Sequence, residues 1–463
     1  MQEDSQNSAG GRGLFSGRMG FVLAAAGSAV GLGNIWRFPH ITAKYGGGTF
    51  LLIYMILLVT FGFTMVMAEI GFGRKTRLSP VGAYRFFSKQ KSHGFLSLGG
   101  WINAIVPMLI LPYYCLIGGW ILKYLFEFTV GHMGLTTAEG YFGGFITSTW
   151  EPVMWHMIFL GCTLGIILKG VESGVEKSSR IMMPLLLLLA VFIAVYSMMQ
   201  PGAVEGIKYF LVPDFSKFSI MTVVAACGQL FFSLSVGMAI LVTYGSYMRR
   251  DVDIEKSTIH ICIADTLIAV LAGLMIIPAV FSFSGGTPEA LNAGPSLIFV
   301  TIPKVFASMN MGAFVGAAFF LMVFFAALTS NISILEACVS TLCDELGWSR
   351  RRAAFFMTFE AVALGIPCSL GFGPWDCISI AGMSILDILD FVAASTLCPL
   401  GALCTCLVIG RFIGAQALTD EIKRSSPFNG EKLFRICITY IAPVLLCIIT
   451  VTSVLAVLGV IKM

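Results

Sequence analysis

Gly27-Ser28-Ala29-Val30-Gly31-Leu32-Gly33-Asn34 interrupts the middle of an apolar run that extends over about 19–40. The run is long enough to cross a bilayer core, which takes about 20 apolar residues per helix. Glycine disfavours helix by about 1 kcal/mol relative to alanine, so three glycines within one segment weaken the helix where it lies deepest. A second apolar run, 217–247, carries Ser233-Leu234-Ser235-Val236-Gly237 at its own middle. Taken singly, such glycines also serve close packing between helices. Paired breaks with Ser and Asn beside them point instead to a transporter binding site, where unwound backbone lines a cavity.

Working outward, apolar runs fall at 19–40, 49–73, 100–128, 151–169, 178–199, 217–247, 257–283, 312–342, 353–372, 380–412 and 434–460. They predict an all-α polytopic membrane protein with eleven spans. The broken spans, 1 and 6, are five apart, and five is odd. Spans 1–5 and 6–10 would therefore have opposite topology, as inverted repeats over 12–199 and 217–412, with 434–460 as an added helix. The runs are too long, and do not alternate, as a β-barrel would require. The first run is not a signal peptide, because Gly33-Asn34 and Arg37-Phe38-Pro39 come directly after its apolar stretch and no small-residue cleavage site precedes a soluble domain.

Composition agrees. Of 463 residues, 57% are hydrophobic and 12% charged, with a mean hydropathy of +0.88. Soluble domains are about 25% charged, so a disordered chain is excluded and a soluble enzyme is disfavoured. A net charge of +4 offers nothing to a nucleic acid. The thirteen Cys lie mostly in apolar runs and act as small hydrophobes. Cys404 and Cys406 are too close for a usual zinc site, and the five His are scattered. Gly31-Leu32-Gly33-Asn34 fits no dinucleotide fold, since no strand precedes it.

Orientation follows from Lys and Arg. With the N-terminus in the cytoplasm, internal segments hold 22 of the 29, among them Arg74, Lys75, Arg77, Arg249, Arg250 and Arg350-Arg351-Arg352. Eleven spans then place the C-terminus outside. Residues 1–11 are polar and Gly-rich, and a mobile tail is expected there.

The stretch Gly27 to Pro39 resembles the span 1 signature of the neurotransmitter:sodium symporters. The resemblance runs on through Gly46-Gly47-Gly48, Glu69 to Arg74, Tyr113-Tyr114, Gly228 to Ser235, Ala326 to Ser330 and Leu386 to Phe391. It implies a LeuT-type fold and alternating access coupled to sodium. The absence of a twelfth span resembles bacterial amino-acid members, which implies a bacterial inner (plasma) membrane. The oligomeric state is left open.

The same resemblance assigns the site. The substrate carboxylate would meet the amides of Leu32 and Gly33, the Tyr114 hydroxyl and a first Na⁺. The amino group would meet carbonyls of Ala29, Phe232 and Ser233. The side chain would enter a pocket of Ile110, Tyr114, Phe232, Ser235, Met238 and Ile334, with Ser330 beside it. Monoamine carriers hold Asp where this chain has Gly31, so Gly31 implies an α-amino acid, and the apolar lining implies a hydrophobic or aromatic one. The first Na⁺ would take the Ala29 carbonyl, Asn34, Ser233 and Asp265. The second would take carbonyls of Gly27, Val30 and Ala326 with the Thr329 and Ser330 hydroxyls. Oxygen ligands suit hard cations, although Thr329 and Ser330 could equally back-bond to their own helix.

Asp265 stands where many members have Asn. A carboxylate at this depth is costly unless it is used, and here it could supply the charge that other members take from bound chloride. Tyr54, Gln229 and Ser233 remain at the family's chloride positions, so chloride use stays open. Arg37 and Asp390 match the outer gate, under which Tyr114 and Phe232 form a lid. Arg12 and Asp344, with Tyr247 nearby, match the inner gate, and Phe15 replaces a latch Trp. Gly174 and Pro184 match a motif at which span 5 unwinds toward the second sodium. Glu69 resembles a carboxylate that holds the break of span 6. Neither Glu336 nor Glu360 has an evident role. No catalytic residue is expected. A channel or a transporter-like sensor is the alternative.

Overall fold

A computed structural model describes residues 13–91, 94, 96–285, 297–380 and 382–457. Among these residues there are helices, two isolated bridges (Gly47 with Pro213, Ile380 with Met383) and no strands. Eight helices are long and apolar enough to cross a membrane alone. They are spans 2 (Gly48–Thr76), 3 (Leu96–Thr129), 5 (Val171–Met198), 7 (Ile254–Ser284), 8 (Gly312–Leu346), 9 (Arg350–Leu370), 10 (Ile385–Ile413) and 11 (Glu431–Ala456). Span 1 is a bent pair, Arg18–Ala29 and Gly33–Lys44, at 49°. Span 4, Glu151–Ile167, and the broken span 6, Ile220–Ser233 with Ile240–Tyr247, complete eleven. The chain is a multi-pass membrane protein.

Large apolar side chains remain on the outside, including Val59, Leu188, Phe359 and Val451. In water this would be a liability; in lipid it is the solvated face. Span 10 begins at Ile385 rather than 380, because Ser384 and Asp387 form a reciprocal capping box at that point. Spans 3 and 8 run longer than their apolar cores, and the short helices Ala203–Leu211 and Ala415–Lys423 fill connections.

Small residues set the closest approaches. A β-carbon on Gly73 would enter the Val242 carbonyl, and one on Gly245 would enter the Ile70 carbonyl. Span 2 and the inner half of span 6 therefore touch backbone to backbone. The buried Arg74 guanidinium pins the inner end of span 2, binding Glu421 through Nε at 3.0 Å and the Val252 carbonyl through Nη1 at 2.7 Å.

Candidate functional site

Both breaks appear in the structure. Span 1 opens at Val30-Gly31-Leu32, between its two helical halves. Span 6 opens over 234–239, where Ser235, Gly237 and Ala239 have φ of 54°, 76° and 63°. Left-handed backbone costs a non-glycine residue about 1–2 kcal/mol, so the segment holds only if its neighbours restrain it. Glu69 of span 2 accepts the Gly237 amide at 2.8 Å, and the Cys398 thiol donates to the Val236 carbonyl at 3.2 Å. A side chain on Gly237 would enter the Cys398 carbonyl, which explains glycine there.

Asp265 of span 7 is fully buried at the level of both breaks. Its Oδ1 accepts from Asn34 Nδ2 at 2.7 Å and from Ser233 Oγ at 2.8 Å; its Oδ2 accepts from Tyr54 at 3.3 Å. Asn34 Nδ2 also points at Ser233 Oγ, 3.0 Å away, while Asn34 Oδ1 accepts the Gly31 amide at 3.1 Å. Gln229 donates to the Gly33 carbonyl at 2.8 Å. Four elements thus bring one carboxylate and several neutral oxygens together. That donor set fits a hard monovalent cation, with the carboxylate as its fixed counter-charge. Tyr54 and Ser233, both expected from the resemblance at a chloride site, contact the Asp265 carboxylate.

A second oxygen cluster lies where span 8 faces the inner half of span 1. Ser330 Oγ is 3.1 Å from the Ser28 carbonyl and 3.4 Å from those of Gly27 and Val30. Thr329 bonds back to Phe325 at 2.9 Å and to Ala326 at 3.1 Å. Ser330 therefore reaches across to span 1, while Thr329 satisfies its own helix. Gly27 packs on Thr329: an added β-carbon would sit 3.3 Å from Thr329 Cβ.

Between the two clusters lie the residues expected to line the pocket. The Leu32 amide faces the Tyr114 hydroxyl at 3.5 Å, and a β-carbon on Gly31 would lie 2.6 Å from Ser330 Oγ and 3.1 Å from that hydroxyl. A β-carbon on Gly33 would meet the Phe232 ring at 2.9 Å. Ile110, Met238 and Ile334 are buried, and Ser235 donates to the Ser28 carbonyl at 3.2 Å. Ala29 is buried just ahead of the first break, and Ala326 lies buried beside Thr329.

The residues expected to form the two gates are arranged differently. On the outer side no ion pair joins Arg37 to Asp390. The Arg37 guanidinium lies over the Phe232 ring at 5.0 Å, and Asp390 faces Tyr113 within electrostatic reach of Arg37. On the inner side Arg12 lies outside the described residues. Asp344 accepts the Ser79 amide at 2.6 Å. Tyr247 donates to Glu336 at 2.8 Å, and Arg350 binds both Glu336 oxygens. Glu336, without a role in the sequence reading, thus joins spans 6, 8 and 9. Its signal was available: a carboxylate inside an apolar helix needs a partner, but the partner lies on another span. Phe15 is fully buried, edge-on to Phe21, Tyr244 and Tyr247 at 5.4–6.1 Å, and its amide donates to Tyr247 at 3.2 Å. Glu360 leaves Oε2 buried without a partner, and nothing in the structure assigns it a role.

Eleven spans, two broken ones and oxygen clusters at the breaks define a secondary transporter of the LeuT-type fold. The chain belongs to the sodium:neurotransmitter symporter family, whose model matches residues 12–139 and 147–460. It is 35% identical over 423 residues to the uncharacterized sodium-dependent transporter YhdH of Bacillus subtilis (strain 168), covering 91% of this chain and 92% of that one. An uncharacterized sodium-dependent transporter of Haemophilus influenzae is 30% identical over 453 residues, covering 96% and 98%. Among solved structures, MhsT in complex with L-phenylalanine matches with a TM-score of 0.86 and 37% identity, over 96% of this chain and all of that one. The family consists of secondary transporters, not enzymes.

Proposed function

We propose that this chain takes up a hydrophobic or aromatic α-amino acid together with two Na⁺ by alternating access. It would sit in a bacterial inner membrane, N-terminus inside and C-terminus outside, with inverted repeats over 12–199 and 217–412. The observation that carries this reading is the pair of oxygen clusters, Asp265–Asn34–Ser233 and Ser330 with the span 1 carbonyls, on either side of Gly31 and Tyr114. Unpaired backbone groups at the breaks would be costly in lipid; cations and a zwitterion satisfy them. The first Na⁺ would bind at Ala29, Asn34, Ser233 and Asp265, with the substrate carboxylate completing its shell. The second would bind at Gly27, Val30, Ala326, Thr329 and Ser330, for which Thr329 must release its helical acceptors.

The apolar lining of Ile110, Met238, Ile334 and Phe232 supports a hydrophobic side chain, and so does the phenylalanine bound by the neighbouring structure. Gly31 leaves no room for a carboxylate that could pair with an amine lacking its own acid. With Asp265 as the built-in anion, transport proceeds without chloride.

Two Na⁺ and a zwitterion carry two positive charges inward, worth about 4.6 kcal/mol at 100 mV. Purified protein in vesicles should concentrate radiolabelled amino acid when both a Na⁺ gradient and an inside-negative potential are imposed. Binding without accumulation would make it a sensor, and passive equilibration without accumulation a channel. Either result overturns the symport reading.

A further inference from the structure

Span 1 enters the membrane beside the first turns of span 5, and a single carboxylate joins them. Glu176 is buried, at 2% exposure. Its Oε2 accepts the Ser16 amide at 2.8 Å; its Oε1 accepts the Ser16 hydroxyl at 2.5 Å and pairs with Arg180 at 2.5 Å. Arg180 also donates to Ser16 Oγ at 2.7 Å. Gly20 lies against the same carboxylate, so that any β-carbon there would enter it. A further point of the seam is Gly13, whose β-carbon would touch Val171 at 3.1 Å. Residues 13–20 thus lie along 171–180, with Glu176 at the centre.

The carrier of this carboxylate is a weak piece of helix. Glu176 ends a π-helical segment, Val171–Glu176, that follows Gly170 at a φ of 92°. Gly174 lies within that segment, and Pro184, which lacks a backbone donor, lies eight residues beyond Glu176. Only glycine fits at 174, because a β-carbon would enter the Ile166 carbonyl of span 4. Arg180, by contrast, is half exposed and reaches Ser16 from the solvent side. Unwinding of 171–183 would carry Glu176 away from Ser16, and outward movement of span 1 would pull Ser16 from Glu176. Neither segment can leave its place without breaking the other's hydrogen bonds.

We propose that Glu176 is the positioning residue that makes opening of the inner half of span 1 and unwinding of the start of span 5 one event. The proposal rests on the alternating-access reading and adds the element that couples two of its movements. Glu176 touches neither substrate nor Na⁺. It acts by holding the first turn of span 1 through the Ser16 amide and hydroxyl, and hydrogen bonds to a charged group are the strong ones.

Hydrogen exchange of the purified full chain, compared in Na⁺ and in K⁺, tests this. In the wild type, Na⁺ should slow exchange of 14–24 and of 171–183 together. In Glu176→Gln, exchange of 14–24 in Na⁺ should rise by about tenfold, the loss of one charged hydrogen bond, and should no longer follow 171–183. Gly20→Ala retains the carboxylate but displaces it, and should give the same uncoupling. Ser16→Ala keeps the amide and should give a smaller effect in the same direction. Coupled Na⁺ protection that survives in both Glu176→Gln and Gly20→Ala overturns the proposal alone. A wild type whose two segments ignore Na⁺ overturns the proposal together with the alternating-access reading.

Discussion

Glu69 of span 2 and Gly237 of span 6 meet at 2.8 Å, the carboxylate Oε1 accepting an amide that its own helix has abandoned. Removing the acceptor leaves a buried donor unsatisfied at a cost of about 1–3 kcal/mol. Glu69→Ala should lower thermal stability by that amount and abolish amino-acid binding, while Glu69→Gln, which keeps an oxygen in place, should retain most of both. Thermal unfolding with parallel binding decides it. An Ala variant as competent as wild type would show that the break of span 6 holds itself.

Asp265→Asn keeps an oxygen beside Asn34 and Ser233 but removes the charge. Attraction for a cation in a low-dielectric site falls accordingly, and the Na⁺ concentration for half-maximal uptake should rise at least tenfold. Chloride should then restore part of the affinity, since Tyr54, which now donates to Asp265, would be free to donate to an anion. Uptake across a chloride titration measures both effects. Wild-type transport that requires chloride would contradict the built-in anion.

Gly31→Asp should abolish binding of amino acids. The β-carbon alone would stand 2.6 Å from Ser330 Oγ, and the carboxylate would repel that of the substrate. Gly31→Ala separates the two causes: it should weaken binding through space alone, without adding charge. Scintillation-proximity competition on the folded variants gives the comparison, and unchanged affinity in Gly31→Asp would place Gly31 outside the site.

Phe15→Ala removes the ring packed edge-on against Phe21, Tyr244 and Tyr247. Edge-to-face aromatic pairs add about 0.5–1.5 kcal/mol each beyond burial. The variant should shift toward the inward-open state, so that substrate affinity measured in Na⁺ falls by an order of magnitude or more while the protein stays folded. Accessibility of a cysteine placed at residue 24 to an impermeant reagent reports the shift directly.

The spans, their number and the two breaks were legible from apolar run length and from glycines, because a bilayer imposes a fixed length on every helix. Gly237 and Gly31 were legible as breaks, since backbone preference is a local property. Glu336 was not interpretable, because its partners, Tyr247 and Arg350, lie on other spans. Thr329 and Ser330 read alike in sequence, yet one bonds within its helix and the other across to span 1, because successive helical residues face about 100° apart. Asp265 was recognised as an unusual charge, but only the fold shows Tyr54, Asn34 and Ser233 converging on it.

Where Gly73 faces Val242 and Gly245 faces Ile70, no side chain stands between span 2 and the inner half of span 6. A contact made of bare backbone cannot repack, so displacement of one helix passes undiminished to the other. Arg74, anchored to Glu421 and Val252, ties the pair to further segments. Span 6 therefore contributes a stiff wall where it meets span 2. The compliant wall is span 1, whose seam with span 5 consists of side-chain hydrogen bonds that water can replace one at a time. Of these two seams the one between spans 1 and 5 is the softer, and under the proposed symport reading it is the place where cargo would leave.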